Sequence, residues 1–311
     1  ALAGRARKAP LDATALPADL PATWGGNDVQ GPALMLTSLI VFTLLDTNSK
    51  LLSGSYGVGQ VIFFRFLVLV PAFLLLRALR PGLGGPLTTT RPALHLLRAV
   101  CMMVSASSFF LGFRHMALAE GYLIFFTAPF LTLALAALVL REAVAPRAWM
   151  WCGVGFAGVA LAMLPRLTEE GQTLDGAVWM LLGVVGFSVT QTVNRSLRGE
   201  NSLGALVLWP GLLGLMLFGP LAALDWHPPS LVDALRLGLN GILAGSAIVL
   251  SAAAFRYADA ARLGPYAFVA LPASILFDAV LWGVSPSSAM LAGAVTVVTA
   301  CVMSERTRRR V

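Results

Sequence analysis

FTLLDTNSKLLSG, residues 42–54, aligns without gaps over FSVTQTVNRSLRG, residues 187–199. Phe42 meets Phe187, Thr43 meets Ser188, Asp46 meets Gln191, Thr47 meets Thr192, Ser49 meets Asn194, Lys50 meets Arg195, Leu52 meets Leu197 and Gly54 meets Gly199. The offset is 145 residues, and Gly59 falls on Gly204 with the same spacing. Further along, Phe113 and Arg114 fall on Phe255 and Arg256 with an offset of 142, and Pro129 falls on Pro272 with 143. The chain is therefore written twice, and each copy must contain the same elements in the same order.

Composition says what those elements are. The 311 residues are 58% hydrophobic and 12% charged, and the mean hydropathy is +0.80. A soluble domain carries roughly 25% charged residues, so most of this chain is built for lipid. Continuous runs rich in Leu, Ala, Gly and Val, each near the ~20 residues that a lipid-spanning helix requires, argue for helices rather than the alternating strands of a barrel. Ten such spans are expected, at residues 33–53, 58–80, 93–113, 117–140, 147–165, 174–196, 202–222, 234–254, 260–283 and 286–304. The fold class is all-α integral membrane, with a first repeat at 33–165 and a second at 174–304. Residues 1–32 are expected to be a disordered tail, and residues 305–311 a short basic one.

Five is an odd number, so the second copy enters the bilayer from the side opposite to the first. Inverted repeats of this kind place two similar bundles around a site at the midplane, and rocking of one bundle against the other exposes that site to alternate faces. Lysine and arginine bias orients the whole. Sixteen of them fall in the two tails and the loops after the even-numbered spans, from Arg5, Arg7 and Lys8 to Arg306, Arg308, Arg309 and Arg310. The other side holds Lys50, Arg114, Arg166 and Arg236 beside the acidic Glu169, Glu170 and Asp175. The positive-inside rule then puts both termini in the cytoplasm of a bacterial-type inner membrane. The net charge of +7 is accounted for by topology, and the ERTRRR tail is read that way rather than as a nucleic-acid patch.

Charges within spans are costly and usually face a bundle interior, a cavity or a partner. Asp46 and Lys50, four apart on one face of span 1, have two readings. They form a structural ion pair near the outer end, or Asp46 takes a coupling proton or a cationic part of a solute while Gln191 contributes polar contacts from the matching position. Arg65 and Glu120 are expected at the level of Asp46, as a salt-bridged gate or a permanent bridge. Asp278 is a second titratable group or a partner for Arg65. Arg98, matched by Asn240, either holds a carboxylate or phosphate or snorkels to the interface. Among the aromatics, Tyr122, Phe125, Phe126, Tyr257, Tyr266 and Phe268 could stack on a planar or cationic ligand, with Tyr122 and Tyr266 favoured for their hydroxyls. GVGFAG, residues 153–158, reads as close helix packing or a homodimer contact.

Other classes find little support. Cys101, Cys152 and Cys301 fall in separate spans, and His95, His115 and His227 are scattered, so neither a disulfide framework nor a metal site is indicated. No phosphate loop, HExxH motif or catalytic Ser/His pairing is present, so no enzyme and no cofactor are expected.

FRHMALAEGYLIFFTAPFLTLALAALVLREAVAPRAWMWCGVGFAGVAL, with Pro129, the span-closing Glu142, Gly153 and Gly158, resembles the EamA domain of the drug/metabolite transporter superfamily. The second copy, FRYADAARLGPYAFVALPASILFDAVLWGVSPSSAMLAG, keeps Pro272 and Gly293 but has Trp282 and Gly283 where the acidic residue would stand. The resemblance covers roughly residues 33–304 and implies ten helices around a central cavity lined by spans 1, 3, 4, 6, 8 and 9. LLDTNSKLL followed by GVGQVIFFR is similar to the branch of S-adenosylmethionine-type and riboflavin-type permeases. What this implies is a secondary transporter for a small polar organic metabolite, amino-acid-like or nucleoside- or aromatic-cation-like, driven by protons or exchange. A channel or a passive exporter is the competing class.

Overall fold

A computed structural model describes residues 29–80, 84–85, 89–141, 144, 146–168, 174–197, 202–257 and 263–308. The amino-terminal tail through residue 28 lies outside them, as do Glu142, Glu169, Glu170, Arg198, Gly199, Arg262, Arg309 and Arg310.

Within hydrocarbon each backbone N–H and C=O must be satisfied inside the chain, which leaves the helix as the form open to these uninterrupted apolar runs. Among the described residues every regular element is helical. The helices are α1 (Gln30–Leu52), α2 (Val58–Leu79), α3 (Pro92–His115), α4 (Leu118–Phe125), α5 (Ala128–Val139), α6 (Pro146–Thr168), α7 (Asp175–Ser196), α8 (Leu203–Leu224) and α9 (Leu231–Tyr257). A 3-10 turn (Gly264–Val269), α10 (Ala270–Trp282) and α11 (Ser288–Arg308) follow. Eight helical stretches, with α4 and α5 counted as one, are long and apolar enough to cross a bilayer, and two shorter apolar ones, Tyr266–Trp282 and Ser288–Met303, complete ten. Leucines on the outer faces, such as Leu75, Leu79, Leu138 and Leu224, are well exposed, as lipid-facing side chains are.

Spans 4 and 9 are broken, which the ten continuous runs did not anticipate. The first stops at Phe125 and restarts at Ala128, with Pro129 in the first turn of α5. Proline has no N–H to continue the ladder and is accommodated where a helix begins. The Thr127 hydroxyl donates to the Ile124 carbonyl at 2.7 Å, satisfying one acceptor that the break releases. Adding 143 to the interruption at 126–127 gives 269–270, where the 3-10 turn hands over to α10 ahead of Pro272. Both copies interrupt their fourth span at the same place.

The helices pack as a duplicated bundle should. The seam between α1 and α9 is matched by that between α3 and α7, and α2 against α9 by α3 against α8. Three further pairs, α2 with α8, α4 with α10 and α6 with α11, each join a span to its own copy. Two buried hydrogen bonds carry this to single residues. The Ser38 hydroxyl donates to the Ala247 carbonyl at 2.9 Å, and the Ser105 hydroxyl donates to the Gly183 carbonyl at 2.9 Å. Position 38 corresponds to 183 and position 105 to 247, so this is one contact made twice with the serine on opposite partners. The fold is two inverted five-helix repeats.

Of the GVGFAG glycines, Gly158 serves the seam between α6 and α11. A methyl group added there would come within 2.9 Å of Val297 Cγ2, and one added at Gly293 within 2.5 Å of the Gly158 carbonyl oxygen. The close-packing reading holds for Gly158, while a Cβ on Gly153 would meet nothing within 4 Å.

Candidate functional site

α1, α4 and α10 meet around three acidic residues that the sequence singled out, with partners different from those expected. Asp46 and Lys50 share a helix face but do not pair with each other. The Tyr122 hydroxyl donates to Asp46 Oδ2 at 2.7 Å and lies 3.4 Å from the Thr43 hydroxyl. Among the described residues Asp46 Oδ1 accepts no hydrogen bond, and no cation lies within salt-bridge distance of the carboxylate. Lys50 instead reaches across to α10, 3.3 Å from Asp278 Oδ1, with its ammonium 4.3 Å from the centre of the Trp282 ring.

Asp278 is therefore not the partner of Arg65. It is 2% exposed, and its two oxygens accept from the backbone N–H groups of Leu118 at 3.1 Å and Ala119 at 2.9 Å. The Glu120 carboxylate turns back to accept from the Ala117 N–H at 3.1 Å. Two carboxylates thus satisfy the first turn of α4, whose N-cap residue, Ala117, has no acceptor of its own.

Arg65 joins α2 to α1 and α9. Its Nε donates to Asn240 Oδ1 at 2.7 Å and its Nη2 to the Ser49 hydroxyl at 3.2 Å. Asn240 Nδ2 donates to the same hydroxyl at 2.8 Å. Arg98 occupies the equivalent place in the other seam. Fully buried, it donates through Nη2 to the Ala205 carbonyl at 2.7 Å and through Nη1 to Asn194 Oδ1 at 3.4 Å. Ser49 matches Asn194, and Asn240 matches Arg98, so each seam carries a polar clamp with one arginine. Arg98 thus neither snorkels nor points its fork at an open anion site, because a guanidinium buried this deeply takes backbone and amide acceptors instead.

The aromatics divide. Phe125 packs edge-on against Phe187 with centroids 5.0 Å apart, against Phe109 at 5.6 Å and beside Tyr122 at 6.4 Å. Phe126 meets Phe268 at 5.3 Å. These rings surround the break in span 4, one turn from the Tyr122 and Asp46 contact. Tyr266 lies elsewhere, against Met35, Ala254 and Leu263. Gln191 is exposed on α7, where its Oε1 accepts from Asn194 Nδ2 at 3.1 Å. Sequence reasoning missed Ser49, Asn194, Thr43 and Trp282 as contributors, although the first three stand within the duplicated stretch itself.

Helices broken at the matching place in both repeats, a carboxylate embedded in a span and a cluster of packed rings beside it are what the fold brings together. The chain belongs to the EamA-like transporter family, whose model matches it twice, over residues 29–164 and 174–305. An S-adenosylmethionine uptake transporter of Rickettsia bellii is 24% identical over 274 residues, covering 87% of this chain and 91% of that protein. A riboflavin transporter of Rhizobium johnstonii is 25% identical over 289 residues, covering 91% and 93%. Among solved structures, one crystal structure superposes with a TM-score of 0.62 at 17% identity, covering 90% of this chain and 98% of its own, a likeness of fold.

Proposed function

We propose that this transporter carries a small polar organic metabolite with a cationic, planar part, by alternating access, across an inner membrane with both termini cytoplasmic. The observation that carries the reading is Asp46. A carboxylate inside a span is retained where it serves a solute or a proton, and this one keeps Oδ1 available while Tyr122 orients Oδ2. A cationic group docking there would make a charge-assisted bond with Phe125 and Phe187 close by to stack on its ring. The relative named for S-adenosylmethionine fits both parts of that chemistry, a sulfonium cation and a flat heteroaromatic base, whereas the one named for riboflavin, a neutral solute, fits the stacking part alone.

The two arginine clamps supply the alternation. One ties α1, α2 and α9 and the other α3, α7 and α8, so opening one while the other stays closed exposes the site to one face at a time. Only Asp46 of the matched pair with Gln191 can titrate, and it carries the coupling proton or exchanges one cation for another.

The test is counterflow of labelled S-adenosylmethionine, and separately of riboflavin, in proteoliposomes. Saturable counterflow is expected for one of them. Loss of a hydrogen bond to a charged group, about 1.5–3 kcal/mol, predicts that Asp46→Asn raises KM roughly 10- to 150-fold. Unchanged KM and unchanged accumulation in that variant overturn the role of Asp46. Flux that rises linearly with concentration and shows no counterflow identifies a channel.

A further inference from the structure

We propose that Asp278 is a positioning residue: a carboxylate lent by the second repeat caps the half-helix α4 of the first and thereby sets Tyr122 against Asp46. It rests on the reading above only in taking Asp46 and Tyr122 as the contact pair for solute.

The first turn of a helix presents N–H groups that need acceptors, and the residue before it normally supplies one. Ala117 cannot. Glu120 answers the Ala117 N–H, leaving Leu118 and Ala119, whose N–H groups both point to Asp278. α4 is eight residues long, too short to hold itself by propensity, and it ends at the break in span 4. Its placement therefore depends on what grips its ends. Asp278 grips one end with two bonds, while Lys50 and the Trp282 ring hold that carboxylate in turn. Tyr122 stands one turn along the same half-helix, and Asp46 stands one turn from Lys50 on α1. The four residues close a loop through three spans: Asp278 to α4, Tyr122 to Asp46, and α1 back through Lys50 to Asp278.

The arrangement is one-sided. The position matching Asp278 in the first repeat, 143 residues earlier, is Leu135, so that position of span 4 offers no such carboxylate to span 9. Among the described residues, the half-helix bearing Tyr122 alone is tied in this way. Any movement between the two repeats then moves the cap against the helix it holds, which couples repeat rocking directly to the alignment of Tyr122 with Asp46.

Cysteines introduced at 46 and 122 in a background without the three native ones, bridged by a short bifunctional thiol reagent in membranes, read that alignment whatever solute is carried. The proposal expects Asp278→Ala to slow cross-linking severalfold, Asp278→Asn, which retains one acceptor oxygen, to restore most of it, and Lys50→Met, which removes one hold on that carboxylate, to slow it less than Asp278→Ala does. A disulfide between cysteines at 38 and 247, in the distant seam of α1 and α9, reports folding and is expected to form equally in all. Equal cross-linking in wild type, Ala and Asn overturns the proposal. So does equal loss in Ala and Asn, or loss that the 38–247 pair shares. A failure of the solute assignment would appear instead as normal uptake by Asp46→Asn and would leave the cross-linking result standing.

Discussion

Replacing Gly293 by alanine adds one methyl group where α11 crosses α6. Built on the backbone, that Cβ lies 2.5 Å from the Gly158 carbonyl oxygen, 2.6 Å from Ala162 Cβ and 2.9 Å from the Ala162 nitrogen. Two of the three are backbone atoms, so no rotamer change relieves the overlap, and the helices must separate by roughly an ångström to regain ordinary contact. Overpacking of this kind costs about 1–3 kcal/mol. This chain of 311 residues is longer than the roughly 150–250 residues for which the scale is about 2–4 °C per kcal/mol, so the midpoint of thermal unfolding should fall by at most roughly 2–12 °C. The seven tryptophans provide a fluorescence signal in detergent. Gly153→Ala on the same helix is the control, because nothing lies within 4 Å of its Cβ. Removing a mid-helix glycine there should stabilise by about 0.5–1 kcal/mol. A Gly293→Ala protein as stable as wild type, or a Gly153→Ala protein equally destabilised, would refute the crossing.

Ser38→Ala and Ser105→Ala each remove one buried hydroxyl bond to a carbonyl and should cost about 0.5–1.5 kcal/mol apiece. Their costs should match within a few tenths and add in the double variant, as separated sites do; a cost confined to one of them would contradict the equivalence. Gln60 is buried and exchanges two bonds with the His227 backbone, donating to the carbonyl at 2.7 Å and accepting from the N–H at 3.1 Å. Gln60→Leu leaves both backbone groups without that partner, so the 225–230 segment should be cut several times faster by protease in intact membranes, and an unchanged rate would sink the argument.

How much of this was legible beforehand follows from the range of each interaction. Ten spans and their duplication are properties of local runs and of matched positions, the first readable from the apolar runs along the chain and the second from residues 42–54 and 187–199. The proline signals at 129 and 272 were also visible, but a proline one residue into a restarted helix looks the same in sequence as a kink in a continuous one. The pairing of charges was not legible. Asp46 and Lys50 invite an intrahelical bridge by spacing alone, whereas the partners actually taken, Tyr122 and Asp278, lie 76 and 228 residues away. Arg98 was matched with Asn240 by the repeat, yet its acceptors on α7 and α8 depend on packing that one sequence does not display. Asp278 was recognised as an embedded charge, and its use as a cap depends on Ala117, a residue that carries no polar signal at all.

The central claim is that the two halves cross the bilayer in opposite directions. Cysteines at 54 and 199, matched positions in the duplicated stretch, can be labelled from either side with an impermeant thiol reagent in a background without the three native cysteines. Position 54 is exposed with nothing within 4 Å of its Cβ, so the substitution there is sterically open. The account predicts that a reagent reaching one of the two from outside reaches the other only after the membrane is permeabilised. Labelling of both from the same side of an intact membrane would contradict it.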